Sequence, residues 1–199
     1  PPSMSEGEAV VTGTLSLPLK QRVLFPEMSF HFEGDLQNVE SDALVPGHVL
    51  RSEKLRLVGD LRGIRIAGRG QIGGLSAEAE WRQEIGSNTT GASRVQGRVP
   101  VSQLLIDTFG IGLPPGSVGG LGEGAFEIAR VTGGAPMLLF RSDLEGVALA
   151  LPALGWRKPE ASDGRLEIEA TLTDVPRVDR LLLNAAGLSA QGQITVSEQ

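Results

Sequence analysis

The chain has 199 residues, 40% of them hydrophobic and 4% aromatic, with 27 Gly, 12 Pro and no Cys. That length suits one domain, or two small ones, with enough apolar material for a core, and the missing cysteine excludes disulfides, thiolate nucleophiles and Cys-based metal sites. With 18 Lys+Arg against 24 Asp+Glu the formal charge is -6, the wrong sign for a protein that gathers phosphates along a nucleic acid.

The opening Pro1-Pro2-Ser3-Met4-Ser5-Glu6 carries neither a basic nor an apolar targeting region. Residues 1–9 are expected to be disordered or appended, ahead of a single β-rich domain over 10–199 with 10–90 and 91–199 as candidate sub-repeats. No apolar run approaches the ~20 residues of a membrane helix. Short alternations at Leu15/Leu17, Leu55/Leu57 and Ile64/Ile66 predict strands. Over 75–85, LSAEAEWRQEI sets Leu75, Ala77, Ala79, Trp81 and Ile85 against Ser76, Glu78, Glu80, Arg82 and Glu84, a strand with one apolar face. Val101, Leu104, Leu105, Thr108 and Phe109 recur at helical spacing, opened by Pro100 and closed near Gly110, and predict the one short helix. Leu166, Ile168, Ala170 and Leu172 alternate with Arg165, Glu167, Glu169 and Thr171 in a second clear strand.

Turn signals at Gly34-Asp35, Gly59-Asp60, Gly73-Gly74, Ser87-Asn88, Gly119-Gly120, Gly133-Gly134 and Asp163-Gly164 separate these segments at the spacing of an antiparallel meander. The expected fold is therefore mostly β, an extended, twisted antiparallel sheet curling into a groove, with one short helix. Closure of the apolar faces into a β-sandwich is the alternative.

Internal similarity runs through the chain. Gly34-Asp35-Leu36-Gln37-Asn38-Val39, Gly59-Asp60-Leu61-Arg62-Gly63-Ile64 and Ser142-Asp143-Leu144-Glu145-Gly146-Val147 share a D-L-x-[GN]-[IV] core, which predicts one turn-then-strand path for the last two. A second element pairs Gly74-Leu75-Ser76-Ala77 with Gly187-Leu188-Ser189-Ala190.

Motifs for chemistry are sparse. Gly68-Arg69-Gly70-Gln71-Ile72-Gly73 matches G-x-G-x-x-G, but a period-two pattern follows where a dinucleotide site needs a helix, so it reads as a glycine-rich turn, as does Gly119 to Gly124. His31 and His48 are the only histidines, without metal-ligand spacing, and read as surface or pocket-edge residues. Glu78/Glu80 and Glu167/Glu169 read as solvated strand faces rather than a carboxylate pair for hydrolysis. Trp156, between Pro152 and Pro159, reads as a packed corner in preference to a ligand-stacking platform. The expectation is a non-enzyme, without catalytic residues, metal or cofactor.

The run Ser142-Asp143-Leu144-Glu145-Gly146-Val147-Ala148-Leu149-Ala150-Leu151-Pro152-Ala153-Leu154-Gly155-Trp156-Arg157-Lys158-Pro159 resembles the central segment of AsmA-like proteins of the YhdP type. Gly187-Leu188-Ser189-Ala190-Gln191-Gly192-Gln193-Ile194-Thr195-Val196 is similar to the closing unit of that family. The resemblance covers Gly91 to Val196 and extends more loosely to Val10 to Ile85. It implies a segment of a long periplasmic, bridge-like lipid transport protein, anchored in the inner membrane, which conducts phospholipid in outer-membrane biogenesis. The implied partners are phospholipid or another acyl-chain lipid and the remaining domains of a longer chain, with no nucleic acid and no membrane span in this segment. On that reading Leu75, Ala77, Ala79, Trp81, Ile85, Leu166, Ile168, Ala170 and Leu172 line the groove. The competing expectation is a structural or carbohydrate-binding β-sandwich of the bacterial envelope.

Overall fold

The computed structural model describes residues 5–19, 28–45, 47–85, 91–173 and 175–195. Strands take 69% of them, against 20–25% in an ordinary domain. Eleven strands form one open, curled antiparallel sheet, entirely a meander. In spatial order they are β1 (Ser5–Ser16), β2 (Ser29–Val45), β3 (His48–Asp60), β4 (Gly63–Ile72), β5 (Leu75–Glu84), β6 (Ser93–Val101), β8 (Gly122–Arg130), β9 (Met137–Ser142), β12 (Gly164–Thr171), β13 (Arg177–Ala185) and β14 (Leu188–Thr195). A second sheet of three strands, ordered β11 (Trp156–Lys158), β10 (Val147–Leu151) and β7 (Val118–Gly120), is built from the two longer excursions of the meander.

Pairing begins at Ser5, opposite Ser41, and residues 5–9 lie in β1. Residues 1–4 and the turn expected at Ser87-Asn88 lie outside the described residues. β5 pairs with β6 from Glu78↔Arg98 to Gln83↔Ser93, which carries the ladder across the 90/91 position.

The shared G-L-S-A element has a shared structure. Gly73 and Gly74 (φ 56 and 85) turn β4 into β5, and Ala186 and Gly187 (φ 46 and 79) turn β13 into β14. Positive φ at both central residues is what a two-residue hairpin needs to match the strand twist. The D-L-x-[GN] element does not share a path. Gly34 to Val39 lies inside β2, Leu61-Arg62 is a tight hairpin turn with Asp60↔Gly63 paired, and Ser142 to Val147 leaves the large sheet for the small one. Gly63 is extended within a strand whereas Gly146 has φ 71, so this similarity is not a structural repeat.

The helix α1 (Gln103–Thr108) is shorter than expected, because Val101 is still the last residue of β6. Its end is closed by Gly110 (φ 59), with Gly110 N–H bonded to Asp107 O (3.3 Å) and Ile111 N–H to Ile106 O (3.0 Å). These two bonds satisfy carbonyls that a helix terminus leaves open. The core sits where α1 and the small sheet lie on the large one: Val101, Ile106, Val118, Leu144, Val147, Leu183 and Ala185 are buried together, with Phe140, Trp156 and Leu166 packed against them. Among the described residues two-layer packing is confined to this end, and the large sheet is open rather than half of a sandwich.

Candidate functional site

The strand registers assemble the apolar alternations into continuous rows across all eleven strands. One row reads Val11, Gly34, Leu57, Ile66, Trp81, Val95, Ile128, Leu138, Ala170, Val178 and Ile194, each directly opposite the next. The adjacent row on the same face reads Ala9, Leu36, Leu55, Gly68, Ala79, Gly97, Phe126, Phe140, Ile168, Leu181 and Gly192. Neither row contains a polar side chain. Ten inter-strand steps of ~4.8 Å make this band about 48 Å long, and two residues along a strand make the rows about 7 Å apart.

The band is open. None of its large side chains is fully buried, and at its two ends Val11 and Ile194 are 46% and 50% exposed. Above it, Leu75, Val99, Val101 and Leu183 are buried, Val101 and Leu183 in one cluster with Ile106 of α1 and Val118 and Val147 of the small sheet. Below it the same face turns polar through Gln83, Ser93 and Arg130, which are opposite one another in that order.

Glycines let aromatic rings lie across the band. A Cβ on Gly59 would sit 2.1 Å from Cζ of Phe32, directly opposite it; one on Gly97 would sit 2.9 Å from Cζ of Phe126, and one on Gly124 2.3 Å from Cζ of Phe140. The rings therefore occupy the space above a neighbouring backbone, which keeps the floor of the groove low while burying the glycine.

The opposite face is charged. Between the two apolar rows, the reverse side carries Asp35, Arg56, Glu80, Glu127, Glu169 and Arg180, interleaved with Ala67, Gln96 and Leu139. Cross-strand ion pairs tie it together: Arg56 to Glu33 (2.5 Å), Arg65 to Glu80 (3.1 Å), Arg98 to Glu123 (3.3 Å), Arg180 to Glu169 (3.2 Å). Hydrogen bonds from Arg82 hold the Glu80 carboxyl below its usual range, and those from Arg165 do the same for Glu167. For Asp60 the cause is the Arg62 backbone N–H and then its guanidinium. The two glutamate pairs read as solvated faces are members of this ladder: Glu78, Glu80, Glu167 and Glu169 all have arginine partners.

The candidate lining residues fall on one face but in two places. Leu75, Ala77, Ala79 and Trp81 are in β5, and Ile85 follows it with its N–H on Arg62 O (3.3 Å). Leu166, Ile168 and Ala170 are in β12, and Leu172 follows with its N–H on Pro136 O (2.8 Å). β6, β8 and β9 separate the two strands, about 19 Å in four steps. Leu75 and Ala170 are buried (3% and 5%), whereas Trp81 and Ile168 are only partly buried. The intervening Val95, Phe126, Ile128, Leu138 and Phe140 were not among the candidates, although G-E-G-A-F-E-I-A in β8 carries the same period-two signal.

The segment that carries the family resemblance forms the support at the covered end. Ser142 Oγ donates to Glu123 O (2.7 Å) and accepts from Leu144 N–H (3.1 Å), while Leu144, wholly buried, holds φ 57. Lys158, 1% exposed, donates from Nζ to the carbonyls of Leu144 (2.8 Å), Val147 (2.7 Å) and Pro159 (3.1 Å). Burial pushes its amine below the usual lysine value, and Asp163, Asp143 and Glu160 pull the other way. Trp156 is a packed corner, its Nε1–H bonded to Ala186 O (3.1 Å).

Gly68 and Gly70 are strand residues of β4 and only Gly73 is in a turn, so no helix follows to receive a pyrophosphate. His31 is exposed on β2, and His48 Nε2 lies 2.7 Å from Thr108 O at the end of α1. Among the described residues no cluster of three or more His, Asp or Glu could hold a metal, and no helix is long and apolar enough to cross a membrane. Comparison of the chain with protein families, with curated proteins and with solved structures returned no match.

Proposed function

We propose that the chain is a non-catalytic, lipid-binding segment whose apolar band holds the acyl chains of phospholipid or a similar lipid and lets them pass along the sheet. The carrying observation is the pair of apolar rows that crosses all eleven strands and is left uncovered by the described residues over most of its length. An uninterrupted open apolar surface is an aggregation hazard unless a ligand, membrane or partner uses it, and the ion-paired reverse face keeps the other side in water. The likeness of Ser142 to Pro159 to AsmA-like proteins of the YhdP type points the same way, and with it come a periplasmic location, an inner-membrane anchor and further domains on a longer chain. A carbohydrate-binding role has less behind it, since Trp156 is packed and its N–H is engaged.

Native mass spectrometry of delipidated protein after incubation with phospholipid tests the reading, alongside Ile168→Asp. Ile168, in the ninth of the eleven strands, sits between Phe140 and Leu181 and is only partly buried, so a carboxylate there reaches water and the fold should survive, while lipid uptake is lost. A variant that unfolds, or a folded variant that still takes up lipid, overturns the groove.

A further inference from the structure

Arg130 differs from every other arginine described in the eleven strands. Each of the others has a carboxylate within 3.9 Å. Arg130 is exposed and has no ion-pair partner among the described residues. Its face differs too. Outside the bulged positions it is the only charged residue whose register puts it on the apolar side of the large sheet, two residues beyond Ile128.

Ser93 lies directly opposite Arg130, and its hydroxyl has no hydrogen-bond partner among the described residues. Gln83, next in that row, spends its Nε2 on the carbonyls of Glu84 (3.3 Å) and Gly91 (3.0 Å). The free donors at this border are thus a guanidinium fork and a hydroxyl on adjacent strands, a set that suits an oxyanion with several oxygens. They stand about 7 Å from Val95 and Ile128 of the nearer apolar row, two residues along each strand.

We propose that Arg130 and Ser93 form a phosphate site that seats the head group of a phospholipid at the polar border while its acyl chains lie along the apolar rows. This rests on the lipid-binding reading above and adds a recognition element to it. A cation left solvated on a polar face would be unremarkable; here the one arginine of the large sheet without an ion pair, among the described residues, is also the one beside the apolar track.

The test uses soluble single-chain probes: lysophosphatidylglycerol, the monoacylglycerol with the same acyl chain, and inorganic phosphate. The native chain should bind the phospholipid about tenfold more tightly than the monoacylglycerol, a difference of about 1.4 kcal/mol. Arg130→Gln should remove that preference and leave monoacylglycerol binding unchanged, Arg130→Lys should keep part of it, and Arg94→Gln, on the ion-paired face, should change nothing. Phospholipid affinity unaltered in Arg130→Gln, or both lipids weakened equally, overturns the phosphate site while the groove stands. Arg130-dependent binding of inorganic phosphate as tight as that of the phospholipid overturns the lipid as its ligand. Uptake of neither lipid by the native chain overturns the groove and the phosphate site together.

Discussion

Lys158 shows how one residue can hold a supporting layer together. Its ammonium spends all three donors on backbone carbonyls, two of them in the Leu144 to Val147 turn that takes the chain from the large sheet to the small one. Truncation leaves buried acceptors without a donor, at about 1–3 kcal/mol each when no water replaces it. Lys158→Met should therefore cost about 2–4 kcal/mol in urea unfolding, whereas Arg157→Met, exposed next door, should stay within about 0.5 kcal/mol. The packed corner at Trp156 was legible from its two flanking prolines. The role of Lys158 was not, because nothing local to a lysine says that it will be buried: that follows from which carbonyls the fold turns inward. Leu144 is similar, since a leucine with φ 57 is adopted only where complete burial of its side chain outweighs about 1–2 kcal/mol of backbone strain.

Among the elements, the strands gain their stability from cross-strand neighbours, and the aromatic rings over glycines are the clearest case. Gly59 is buried under the Phe32 ring, with Phe32 Cζ, Cε1 and Cε2 all within 2.7 Å of where a Cβ would stand. Gly59→Ala should destabilise the chain by about 1–3 kcal/mol through overpacking. A second substitution, Phe32→Leu, should recover part of that loss, so a double-mutant cycle with additive costs would show that ring and glycine do not act as a unit. On the reverse face, Asp60, Glu80 and Glu167 all have lowered pKa values in the fold. Groups of that sign contribute stability in full above their ordinary values near 4 and lose it as the pH falls through the lowered ones. The urea midpoint should hold at neutral pH and drop as the pH goes below about 4, and added salt should reduce the size of that drop. Period-two alternation made β5 and β12 plain in the sequence, and paired glycines made the hairpin at Gly73-Gly74 plain. β2 was obscured because Asn38, at φ 51, and the register shifts beside it break the alternation within a 17-residue strand. The D-L-x-[GN] likeness misled because a short polar-glycine cluster fits a hairpin, a bulge or a crossing between sheets equally well, and distant pairing decides among them.

For the whole molecule, what matters is that eleven separate apolar alternations fall into register, a property no single strand carries. Two lining strands could be read from the sequence, but not that they stand four steps apart with Phe126, Ile128, Leu138 and Phe140 between them. A track about 48 Å long and open along one side predicts a particular dependence on ligand length. Each methylene removed from water contributes about 0.8 kcal/mol, so ten contribute about 8 kcal/mol gross, against which stand the costs of association and ordering. Shortening a saturated chain by four methylenes should then weaken binding by about 3 kcal/mol, roughly two orders of magnitude in Kd. An enclosed pocket of fixed depth gives the same slope only until it is full, after which longer chains clash and affinity falls. In an open track the gain persists over a homologous series, and Arg130→Gln should shift the whole line without changing its slope, because the head group and the chain touch different parts of the sheet. Isothermal titration of lysophospholipids of increasing chain length checks both statements. An affinity that ignores chain length, or that peaks at one length and declines beyond it, would show that the acyl chain does not lie along these rows.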